Sequence, residues 1–81
     1  MRILVVDDHD DGRTLTTLVL RQTGASVEAA SSAREALARL EAHRPDVLVT
    51  DIGLPDEDGY SLIREIRRAT KSTEVFFRQL R

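Results

Sequence analysis

Two mostly apolar runs, each halted by an aspartate, frame the chain: Arg2–Val6 (RILVV) ends at Asp7, and Val47–Thr50 (VLVT) ends at Asp51. Apolar, β-branched runs without polar alternation predict strands covered on both faces. Between them, Leu15, Leu18 and Val19 recur at helical spacing from Gly12 to Gln22, and Thr23-Gly24 supplies a left-handed stop. Ser26–Ala30 (SVEAA) is a weaker strand, placed by its flanks. Ser32 and Glu35 form a capping box at the start of a second helix, because each side chain can satisfy an orphan backbone N–H there. That helix carries Ala33, Ala36, Leu37 and Leu40 on one face, places His43-Arg44 in its last turn and breaks at Pro45. After Asp51 comes a polar, turn-rich stretch, Gly53–Gly59, and then Tyr60–Arg68 resumes helical spacing through Leu62, Ile63 and Ile66. The order βαβαβα predicts an α/β fold of parallel strands joined by right-handed crossovers. In the tail, Ala69–Arg81, the short apolar run Val75–Phe77 fits a fourth strand, and Phe76 or Phe77 with Leu80 fits one stripe of a short helix; periodicity over so few residues does not decide, and the reading leans to strand. The polar stretch Thr70–Thr73 marks off residues 69–81 as an atypical tail within a single domain, 1–81.

Composition narrows the classes. A chain of 81 residues is one small domain, and 41% hydrophobic with 32% charged residues is a globular composition that folds if its core closes. A net charge of −2 provides no field to hold nucleic acid or an acidic membrane. With no cysteine there is no disulfide, thiolate nucleophile or Cys-ligated zinc. The longest early apolar run, Ile3–Val6, is too short for a signal-peptide core or a membrane span, so a cytoplasmic address is expected.

The chemistry lies where the runs stop. Parallel strands ending in Asp7-Asp8 and in Asp51 deliver three carboxylates to the carboxyl end of one sheet, where open α/β folds bind ligands. Unit charges ~4 Å apart repel by about 4 kcal/mol at an effective dielectric near 20, so such a cluster calls for a cation or for protons. Mg²⁺ suits it, being hard, octahedral and usually held by one or two carboxylates with water and phosphate oxygens. Asp10 and Asp11 are read as a solvated helix-start cluster.

VVDD at Val5–Asp8 and PDVLVTDIGLPDEDGY at Pro45–Tyr60 strongly resemble the receiver (response-regulator) domains of two-component signalling, through about the first 68 residues. The resemblance implies a partial flavodoxin-like, doubly wound parallel sheet with strand 1 between strands 2 and 3, lacking the last strands of a complete receiver. It implies Asp51 as phosphoacceptor, Asp8 as a direct Mg²⁺ ligand, Asp7 as a ligand largely through water, and the Gly53 backbone carbonyl as a third protein ligand. The partner implied is a histidine kinase or phosphotransfer domain, and the chain is then a phosphoacceptor module instead of an enzyme. Complete receivers also use a Thr or Ser ending strand 4 and a Lys ending strand 5; neither stands at a matching position. Lys71, the only lysine, reads as a solvated tail charge. Arg78 or Arg81 approaches the phosphoryl site only if the tail returns as a strand. Without a fourth strand, strand 3 would be an apolar edge, and self-association through it or poor stability is expected, with Val75–Phe77 available to pair there as a surrogate strand in its own chain or exchanged between two.

Other patterns are weaker. An EF-hand reading of Asp7–Gly12 fails because His9 replaces an oxygen ligand and Leu18 stands where the bidentate glutamate belongs. His9 reads as a solvated loop residue and His43 as a cation at a helix C-terminus. The basic run from Arg64 to Arg81 reads as a solvated face. Two competing functions remain: a receiver remnant that docks partners without phosphorylation, and an aspartyl phosphohydrolase of the haloacid-dehalogenase type, suggested by Asp8-His9-Asp10. Gly12 departs from the latter's motif.

Overall fold

The computed structural model describes residues 1–51, 64–65, 67–68 and 74–78. Its elements are β1 (Arg2–Val6), α1 (Asp10–Arg21), β2 (Ser26–Ala30), α2 (Ala33–His43), β3 (Val47–Asp51) and β4 (Glu74–Arg78). All strand pairs are parallel, in the order β2-β1-β3-β4. The tail, open between strand and helix on sequence, is a strand over Glu74–Arg78. β3 is not an edge, which corrects the expectation of an exposed strand 3: β4 runs beside it from Val47↔Glu74 to Asp51↔Arg78. The template for self-association proposed at that edge is consequently occupied by the chain's own tail.

Alternation along β1 explains why its sequence looks uniformly apolar. Leu4 and Val6 face α2, in a cluster with Ala30, Ala33, Ala36, Leu40 and Leu48, while Ile3 and Val5 face the other side with Val27, Leu20, Ala25, Val47 and Val49. With helices over both faces, the buried positions Ile3–Val6 of this strand are all apolar, and only the exposed Arg2 at its start is polar.

Helix α2 follows its capping signal with one change. Ser32 Oγ accepts from Glu35 N–H at 3.1 Å, but the Glu35 carboxylate reaches back to Ser31, accepting from its N–H and its hydroxyl at 2.8 Å each. These bonds, with Arg39 beside it, hold the Glu35 carboxyl down at about 2. Arg44 lies outside the helix, as a left-handed cap with φ of 50°. His43 does more than face the helix dipole: its Nε2 lies 3.1 Å from the Ile3 carbonyl, tying the end of α2 to β1.

Helix α1 begins two residues before the predicted start, so that Asp10 and Asp11 form its first turn, where acidic side chains complement the dipole. Gly24, with φ of +91°, provides the expected left-handed stop. The stripe Leu15, Leu18 and Val19 does not face the sheet; these residues are 62%, 53% and 52% exposed. The helix is seated instead through Leu20 and the buried Thr17. Spacing alone could not separate these two faces, since both recur every three to four residues. Of predicted helix 3, Arg64, Glu65, Arg67 and Arg68 are helical, and the remainder lies outside the described residues.

Candidate functional site

Register brings the aspartates together. Val6 of β1 is paired with Thr50 of β3, so Asp7 and Asp51 are the next residues of adjacent parallel strands at the same end of the sheet. Asp7 N–H donates to the Ala30 carbonyl at 3.1 Å, which continues the ladder one residue past β1 and fixes Asp7 against β2. The chain then turns away: Asp7 is 1% exposed, Asp8 is exposed, and His9 caps α1. A tight turn holds the loop, with the His9 N–H donating to Asp7 Oδ1 at 2.9 Å.

Ligand atoms of Asp7, Asp8 and His9 all lie within 4.8 Å of one another. The His9 ring Nδ1 is 3.0 Å from Asp8 Oδ1 and 3.6 Å from Asp7 Oδ1. Sequence reasoning set His9 aside as solvated. It is indeed exposed, yet its ring lies over the acidic pair, a placement decided by the turn and invisible to spacing. Two carboxylates, one buried and one open to water, form a hard oxygen set that fits Mg²⁺, whereas the imidazole is a softer donor at the rim. Asp51 ends β3 beside this pair, and Gly53 lies outside the described residues. β4 carries Arg78 into register with Asp51, so a cationic residue stands one strand away from the third aspartate. Arg13 supports the turn from α1, donating from Nη1 to the Asp7 carbonyl at 2.9 Å and from Nη2 to the Asp10 carboxylate.

The family model of the response regulator receiver domain matches residues 3–78. The chain belongs to that family. Among curated relatives, the virulence transcriptional regulatory protein PhoP of Salmonella typhimurium is 47% identical over 75 residues, covering 93% of this chain and 34% of that protein. The transcriptional regulatory protein TrcR of Mycobacterium tuberculosis is 39% identical over 77 residues, 95% of this chain and 30% of that protein. Chemotaxis response regulator CheY4 of Vibrio cholerae superposes with a TM-score of 0.82 at 31% identity, over 94% of this chain and 65% of that one. Response regulator TrrA of Thermotoga maritima, solved in complex with Mg²⁺-BeF, gives 0.82 at 31% identity, over 96% of this chain and 68% of that one. This receiver thus spans about a third of the length of PhoP and of TrcR. The partial flavodoxin-like fold and the signalling class expected from sequence both stand. Among the described residues no helix is long and apolar enough to cross a membrane.

Proposed function

We propose that this receiver, as one domain over residues 1–81, accepts a phosphoryl group from the phosphohistidine of a cytoplasmic histidine kinase or phosphotransfer domain. The acceptor is the Asp51 carboxylate. One observation carries the reading: register sets Asp51 at the strand end next to the buried Asp7, with Asp8 beside it, on a sheet whose family accepts phosphate.

In the transfer, an Asp51 oxygen attacks phosphorus in line with the departing imidazole nitrogen; the P–N bond breaks, and that nitrogen keeps the electron pair and ends protonated. Asp8 would hold Mg²⁺ directly, with Asp51 and the Gly53 carbonyl as the other protein ligands, and Asp7, pinned by its turn, would reach the ion through water. When bound, Mg²⁺ neutralises the charge gathered between the carboxylates and the phosphoryl oxygens. Arg78, in backbone register with Asp51, supplies the cationic charge that complete receivers draw from elsewhere. The acyl phosphate adds negative charge and strong acceptor oxygens at the end of β3, enough to bias a bistable loop.

Incubation with acetyl phosphate and Mg²⁺ should give a stoichiometric, hydroxylamine-labile label lost in Asp51→Asn. Undiminished labelling of that variant would remove Asp51 as the nucleophile. Multiple turnovers of a generic phosphate ester would instead favour the phosphohydrolase reading.

A further inference from the structure

At the N-cap of a helix Ser, Thr, Asp and Asn are favoured, because their short side chains accept from the first helical N–H groups. Helix α1 has His9 there, in extended backbone with φ of −95°, and the imidazole makes no capping bond. The turn that carries it is fixed twice. His9 N–H donates to Asp7 Oδ1 at 2.9 Å, and Arg13 Nη1 donates to the Asp7 carbonyl at 2.9 Å. The ring is thereby sent back over the strand end, where its Nδ1 stands 3.0 Å from Asp8 Oδ1 and 3.6 Å from Asp7 Oδ1.

We propose that His9 is a further ligand at the strand-end metal site and turns its preference from Mg²⁺ toward a borderline first-row divalent ion. The inference rests on the Mg²⁺ site assigned above to Asp8 and Asp51. Neighbouring ligands of an octahedral ion held at about 2.1 Å stand about 3.0 Å from each other. Asp8 Oδ1 and His9 Nδ1 already have that separation, so two consecutive residues can chelate one ion without rebuilding the turn. Asp7 Oδ1, farther from the ring and engaged by the His9 N–H, stays one water away from the ion. The ring is exposed and swings onto an ion without uncovering the core. In that form its one proton sits on Nε2 and the Nδ1 lone pair is directed at the metal.

Donor chemistry sets the direction of the effect. Mg²⁺ is hard, dehydrates reluctantly and gains little by exchanging a water for an imidazole nitrogen. Co²⁺, Ni²⁺ and Zn²⁺ gain a strong bond from the same nitrogen and tolerate the carboxylates beside it. Carboxylates alone bind by charge, whereas a neutral nitrogen added to them separates ions of equal charge. A simple ion pair between a protonated ring and the acidic pair predicts the opposite. His9 would then compete with every divalent cation, and its removal would strengthen the binding of all of them.

The test is a pair of titrations of the 81-residue chain in metal-free buffer, with MgCl₂ and with CoCl₂, read by calorimetry and by proton NMR. In the parent, Co²⁺ should displace Mg²⁺ from one site and give hyperfine-shifted signals from the His9 ring. The ring of His43, tied to the Ile3 carbonyl, should not show them. His9→Gln should abolish these signals and lower the affinity for Co²⁺ relative to Mg²⁺ by about tenfold or more, the scale that loss of even an indirect partner of a metal reaches. An unchanged ratio of the two affinities, tighter binding of both ions in the variant, or hyperfine shifts on His43 instead of His9 would overturn His9 as a ligand. Asp8→Asn separates this failure from that of the underlying reading. Full Mg²⁺ affinity in that variant would remove the Mg²⁺ site itself, whereas lost Mg²⁺ affinity there with an unchanged ratio in His9→Gln would remove only the part given to His9.

Discussion

Replacing Asp8 by asparagine should raise the melting temperature in EDTA and remove most of the gain that Mg²⁺ brings. Asp7 and Asp8 each present a carboxylate oxygen within 4.8 Å of the other. At that separation two unit charges repel by about 3.5 kcal/mol for an effective dielectric near 20. Asp8 is 53% exposed, so water reduces the figure to about 1 kcal/mol. In a domain this small, about 1 kcal/mol moves the melting temperature by roughly 4–8 °C. Mg²⁺ works in the opposite direction on the intact pair: binding only the folded state at ten times its Kd stabilises by about 1.4 kcal/mol. Scanning calorimetry of both proteins at pH 8, in EDTA and across a MgCl₂ series, separates the two effects. A variant that melts lower than the parent in EDTA and keeps the full Mg²⁺ response would refute both the repulsion and the ligand assignment.

Arg78→Ala should slow labelling by acetyl phosphate about tenfold if its charge serves the phosphoryl group, and an unchanged rate would exclude it. Leu48→Ala removes a fully buried side chain from the α2-facing cluster and should cost about 2–5 kcal/mol by urea unfolding, whereas Leu18→Ala on the exposed face of α1 should cost well under 1 kcal/mol. Ser32→Ala should cost about 1 kcal/mol by the same measurement, through loss of the α2 cap. Glu35, depressed to about 2 from an unfolded 4.5, contributes stability above pH 4.5 that is lost as pH falls toward 2; melts of Glu35→Gln should be flatter over that window, and parallel curves would contradict the Ser31 bonds.

Strands β1 and β3 were legible in the residues because burial on both faces forbids polar alternation, and the aspartates that end them marked the functional end of the sheet. The capping serine and the glycine stop were legible too, since both solve local backbone problems within a few residues of themselves. Tertiary structure alone decided the rest. Val75–Phe77 was too short a run for periodicity to classify, and it became a strand because β3 offered an unpaired ladder. Which of two faces α1 would bury was settled by the shape of the sheet beneath it, so Leu15, Leu18 and Val19 stayed outward although their spacing was correctly helical. His9 came to the acidic pair, and Arg78 into register with Asp51, through a turn and a strand pairing whose partners lie far apart in the chain or depend on backbone angles. Sequence spacing reports what one element requires of itself, whereas a site is assembled by contacts between elements.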